Sequence, residues 1–132
     1  MKEVRLPSGA TLKIDLPPFA DSKALYQAFL KEAKTINIDA KSDVVAIVKE
    51  LVCIGFASPE VERCLWECFK RCLYNSGKGD FRITPDTFEP VEARGDYLMV
   101  CTEVAKENIF PFVKSLYAQY AHVIATILQN PA

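Results

Sequence analysis

Three cysteines at spacing four, Cys64, Cys68 and Cys72, are the first residues in this chain that could do chemistry. On a helix that spacing places all three thiols along one face, and thiolates are soft metal ligands. The same positions continue an apolar row through Val61, Leu65, Phe69 and Leu73. Structural zinc sites take closely spaced ligand pairs and a fourth ligand, and this row offers neither. Cysteine packs readily as a small hydrophobe, so the row reads as core and no metal is expected.

The remaining reactive types are sparse. His122 is the single histidine, and its neighbours Ala121, Val123 and Ile124 supply no carboxylate or nucleophile. A pair of Cys101 with His122 would make a cysteine-dependent enzyme, because such pairs assemble in space and not in sequence. No local motif supports one, so no catalytic residue is expected. Ser76-Gly77-Lys78-Gly79-Asp80 is glycine-rich but lacks the full phosphate-loop pattern. Glu92, Arg94 and Asp96 read as a surface ion-pair network, with the two acids four residues apart on a helix. Trp66 falls off the apolar row of its helix. It either packs under the hairpin or the Phe81–Phe88 segment, or belongs to a contact surface.

The elements that must position these residues follow from periodicity. Val4 and Leu6 precede Pro7-Ser8-Gly9, and Leu12, Ile14 and Leu16 alternate with polar residues, which predicts a β-hairpin over 1–17 facing inward through those three. Pro17-Pro18 ends it. A helix is expected from Asp21 to Lys34, and a second from Ser42 to Gly55 with Val44, Ile47, Val48, Leu51 and Val52 in register. The third has the clearest start, Ser58-Pro59-Glu60, and runs to Asn75-Ser76-Gly77. Phe81–Ile83 reads as loop or short strand, and Thr84-Pro85-Asp86 opens a helical turn through Phe88 and Glu89. A fourth helix is expected over Val91–Lys106, burying Tyr97, Leu98, Cys101 and Ala105. The last opens at Asn108, before Pro111, and reaches Leu128 with an apolar face of Val113, Leu116, Tyr117, Tyr120, Val123, Ile124, Ile127 and Leu128.

The fold class is therefore mainly α: a single domain over 1–132, with the small hairpin and a helical body of about five helices over 18–132. A mixed α+β fold is the alternative. The chain has 132 residues, half of them hydrophobic and a quarter charged, which is the composition of one self-sufficient core. With 16 basic against 17 acidic residues the net charge is −1, which argues against broad nucleic-acid or anionic-membrane binding. No stretch has the ~20 apolar residues of a membrane span. An odd count of five cysteines and an N-terminus without a secretory pattern point to free thiols in a cytoplasm.

Several segments in order carry a family resemblance: Leu6-Pro7-Ser8-Gly9-Ala10, Pro18-Phe19, Cys72-Leu73-Tyr74-Asn75, Thr84-Pro85-Asp86-Thr87-Phe88-Glu89, Val91-Glu92-Ala93-Arg94-Gly95-Asp96-Tyr97, and Asn108 with Phe110-Pro111-Phe112. In these the chain resembles the tail assembly chaperones of long-tailed bacteriophages and related prophages, especially those of Gram-positive hosts. The resemblance implies a non-enzymatic morphogenesis protein without cofactors. Such a protein would bind the tape measure protein and help the tail tube protein polymerise around it. It would act in the cytoplasm of the infected or lysogenic host, stay out of the mature virion, and could form homo-oligomers. Partner contacts are expected at Trp66, Tyr117, Tyr120, Ile124 and Leu128. The rival readings are a virion structural subunit of the tube or connector, and a small cysteine-dependent enzyme.

Overall fold

The computed structural model describes residues 1–32, 48, 52, 53 and 55–129, the last ten of these as helical backbone only. It is mainly helical, with a small antiparallel sheet formed chiefly by the N-terminal hairpin. Strands β1 (Lys2–Arg5) and β2 (Thr11–Ile14) pair with Val4 opposite Leu12. The turn between them closes by Gly9 N–H donating to the Leu6 carbonyl at 2.9 Å and Leu6 N–H to the Ala10 carbonyl at 2.8 Å. Pro7 suits the second position of such a turn. Gly9 takes φ +93°, the left-handed conformation that ends a three-residue hairpin loop.

A two-stranded hairpin is marginal in water, and here it does not stand alone. β3 (Leu73–Asn75) pairs with β2, and β4 (Phe81–Arg82) pairs with β3, all antiparallel in the order β1-β2-β3-β4. The third predicted helix is therefore shorter than its apolar row. α2 covers Pro59–Phe69, capped by Ser58, whose hydroxyl accepts from Val61 N–H at 3.3 Å. Leu73 and Tyr74 leave the helix because the open edge of β2 offers ladder partners, a gain that local helical periodicity cannot register. Leu12 and Ile14 are buried as expected. Leu16 is 52% exposed, since β2 ends at Ile14 and the chain turns away through Pro17-Pro18.

α1 runs from Phe19 to Glu32, starting two residues before Asp21, with Leu25, Ala28 and Phe29 buried. The second predicted helix lies almost wholly outside the described residues. Val48 and Val52 are buried helical positions of it, and Gly55 sits against Phe29 so closely that a Cβ would fall 2.1 Å from its ring.

The two final helices of the sequence reading are divided differently. α3 is a single turn, Val91–Arg94, and α4 is one continuous helix from Tyr97 to Gln129. The break falls at Gly95-Asp96 and not before Asn108, because Asp96 caps α4, its carbonyl accepting from Val100 N–H at 2.9 Å. Pro111 lies inside α4 on an exposed position, where the loss of one backbone hydrogen bond is compatible with a helix anchored by packing on either side. Val100, Cys101, Val104, Ala105, Ile109 and Val113 form that anchor. Leu98 was expected among them but is 61% exposed; it lies across the helix from buried Val100, at the outer margin of the face that carries Cys101.

Candidate functional site

The thiol row is core. Val61, Cys64, Leu65, Cys68 and Phe69 are all buried on one face of α2, and Cys72, beyond the helix end, is buried too. Burial pushes the Cys68 thiol up to about 12 and that of Cys72 to about 11, and it also raises Cys64. Cys101 is raised to about 12 by the same desolvation. Thiols held this far into the protonated range are poor nucleophiles and poor ligands at neutral pH. Among the described residues no three His, Cys, Asp or Glu side chains converge on a point that could hold a metal ion. His122 lies where no side chain is described, so its pairing with Cys101 falls outside the described residues.

The expected network of Glu92, Arg94 and Asp96 is not formed. Arg94 turns to Glu89, 3.3 Å away, and donates to the Phe88 carbonyl at 3.2 Å. Asp96 is fully buried instead. Its carboxyl group accepts from Tyr74 O–H at 2.8 Å, from Ser8 N–H at 3.0 Å and from the Ser8 hydroxyl. Three segments far apart in sequence thus meet at one polar joint: the hairpin turn, the middle of β3 and the start of α4. Burial raises the Tyr74 phenol above its ordinary value, and the bond to Asp96 adds to that, so Tyr74 stays a donor. Sequence alone misses the joint because its members are 88 and 22 residues apart.

Beside this joint stands an aromatic group. Trp66 is half-buried, 4.9 Å from Phe69, 6.1 Å from Phe88 and 6.2 Å from Tyr97, ring centre to ring centre. Its indole N–H donates to the Tyr97 hydroxyl at 3.1 Å, which in turn donates to Glu62 at 3.2 Å. Phe88 is delivered by a 3-10 turn at Pro85–Phe88, where the Thr87 hydroxyl accepts from Thr84 N–H at 3.0 Å. Trp66 therefore packs on the segment ending at Phe88, one of its expected settings. Of the other expected contact residues, Tyr117 is half-buried against the core, while the side chains of Tyr120, Ile124 and Leu128 lie outside the described residues.

A third feature was not visible in the sequence. Where α1 meets α4, Ser22 donates to Asn108 at 2.7 Å, and Asn108 donates to the Val104 carbonyl at 2.8 Å, both residues buried. Outside this bond, Phe112 of α4 stacks on Tyr26 at 5.0 Å and meets Phe19 at 5.9 Å. Phe19, Tyr26 and Leu30 follow one another along one side of α1, and Leu116 lies one turn beyond Phe112 on α4. Phe19 is 68%, Leu30 41% and Leu116 49% exposed. They form an apolar strip held in place by buried hydrogen bonds beneath it. The signal that could have found it is Phe19 and Leu30, two large apolar residues in α1 outside its Leu25–Phe29 face.

The chain matches none of the protein-family models, curated proteins or solved structures with which it was compared.

Proposed function

We propose that this chain is a non-enzymatic tail assembly chaperone of a long-tailed bacteriophage or prophage, one that binds the tape measure protein and promotes polymerisation of the tail tube protein around it. The observation that carries the reading is the apolar strip of Phe19, Tyr26, Leu30, Phe112 and Leu116 on the α1–α4 junction. A tape measure is long, helical and prone to aggregate, and a strip of this kind suits the apolar face of an amphipathic helix. The segments of the resemblance also account for joints of this fold: Ser8, Tyr74 and Asp96 at one, Phe19, Asn108 and Phe112 at another. The buried, protonated thiols favour this reading over a cysteine-dependent enzyme. No helix among the described residues is long and apolar enough to cross a membrane. Action in the host cytoplasm, self-association and absence from the mature virion belong to the same proposal.

Co-expression with the tape measure protein tests it. The chaperone keeps the tape measure soluble and copurifies with it, and Leu30→Glu with Leu116→Glu abolishes copurification while leaving the chain folded. A tape measure equally insoluble with and without this chain refutes the reading, and recovery of the chain from purified particles favours a structural subunit.

A further inference from the structure

β4 closes the sheet on one side with nothing paired to its outer edge among the described residues. Between this edge and the 3-10 turn lies an open cleft of ≈ 480 Å³, with Tyr74 among the residues that line it. Its lining includes Ser76, Lys78, Phe81, Arg82 and Asp86. Phe81 is 60% exposed. Lys78 and Arg82 are exposed and have no acidic partner among the described residues, as is true of Arg5, Lys23, Arg63, Arg71 and Lys114; what sets these two apart is that they line one cleft.

The loop that carries Lys78 is set in advance. The Asn75 side-chain oxygen accepts from Gly77 N–H at 2.8 Å and Gly79 N–H at 3.3 Å, and its amide donates to Asp80 at 3.1 Å. Lys13 holds the other Asp80 oxygen at 2.8 Å, which ties the loop to β2. Neutralising Asp80 internally leaves Lys78 and Arg82 as the uncompensated charges of the cleft, opposed by Asp86 alone.

We propose that this cleft docks an extended acidic segment of a partner protein, added as a strand along β4. The outer edge of β4 supplies one residue's backbone donor and acceptor, Lys78 and Arg82 take carboxylates, and Phe81, on the opposite face of the strand from Arg82, covers an apolar side chain. An extended peptide fits better than a nucleic acid. The free edge matches a peptide backbone, and exposed Phe81 suits the apolar side chains that alternate with acidic ones along such a strand. This docking is separate from the α1–α4 strip and stands or falls without it.

Fluorescence anisotropy on the full chain tests it with a short labelled peptide alternating glutamate and valine. Saturable binding is expected, weakened about tenfold by Lys78→Glu with Arg82→Glu, exposed changes that leave the melting temperature in place. Binding should weaken as salt rises from roughly 50 to 500 mM. A peptide N-methylated at alternate residues, unable to extend the sheet, should not bind. No binding up to about 1 mM peptide, equal binding by the double variant, equal binding of the N-methylated peptide, or tighter binding of a single-stranded oligonucleotide each overturns the proposal.

Discussion

The polar joint at Asp96 and the thiol row of α2 are both buried, and both carry residue types that invite a chemical reading. They differ in what their burial demands. Asp96 sits among donors supplied by three separate segments, and among the described residues every buried side-chain nitrogen or oxygen has a hydrogen-bond partner. The thiols of Cys64, Cys68 and Cys72 sit among apolar neighbours and make only weak bonds to backbone carbonyls, Cys72 to Cys68 at 3.6 Å and Cys68 to Asp21 at 4.0 Å. A buried polar group requires a particular partner, whereas a buried thiol requires only volume. The first fixes how the hairpin, the sheet and α4 meet. The second fills space and tolerates exchange.

Putting a carboxyl where no donors wait should break the molecule most severely. Ile14→Asp places a charge at a position 3% exposed in the sheet's inner face, and a loss of about 3–5 kcal/mol is expected in chemical denaturation. Lys13→Ala, one residue away on the outer face, removes only the partly exposed pair with Asp80, which water and salt screen, and should lower stability far less than Ile14→Asp. Equal losses from the two would mean the hairpin has another register.

Removing the acceptor at the joint comes next. Asp96→Ala leaves the buried Tyr74 hydroxyl and the Ser8 turn without their partner, at a cost of about 3 kcal/mol. Adding Tyr74→Phe to that variant should recover part of the loss, because the orphaned donor is then gone. A double variant no better than Asp96→Ala would show that the joint acts through packing alone.

The thiol row should yield far less. Cys68→Ala leaves a small cavity and should cost about 1 kcal/mol. A larger loss, or a metal released with the thiol, would make the row resemble the Asp96 joint after all.

At neutral pH the smallest effect is that of thiol ionisation, which emerges only on the alkaline side. The folded thiols of Cys68, Cys72 and Cys101 are raised to about 12, 11 and 12, above the unfolded value of about 8.5. The folded state therefore holds these protons longer. Their contribution is fully present below about pH 8.5 and declines as pH rises towards the folded values. A thiol reagent at pH 8 should accordingly label exposed Cys53 first and the four buried cysteines only on unfolding. Rapid labelling of a buried thiol in the folded chain would contradict the burial.

Much of this was legible in the sequence, for local reasons. Alternation of Leu12 and Ile14 with Thr11 and Lys13 marks β2, Pro7 and Gly9 mark its turn, and Ser58-Pro59-Glu60 opens α2. Each is a preference of a few neighbouring residues, and the structure keeps all of them. The row from Val61 to Phe69 is buried for the same reason, a period of 3.6 facing a core.

What the sequence left undecided is set by contacts between distant segments. Leu73 and Tyr74 fit the end of a helix as well as a strand, and the free edge of β2 decides for the strand. Asp96 fits an exposed ion-pair network until Ser8 and Tyr74 converge on it and divide one helix from the next. The apolar strip of α1 and α4 exists only because those helices pack together, with Ser22 and Asn108 bonded across the junction and apolar residues of both in one core. Local preferences are worth tenths of a kcal/mol to about one kcal/mol per residue, less than burying or orphaning a single polar group. The sequence by itself determined where this chain could fold into helix or strand. The tertiary structure decided which polar groups found partners, and so which surfaces were left for others to cover.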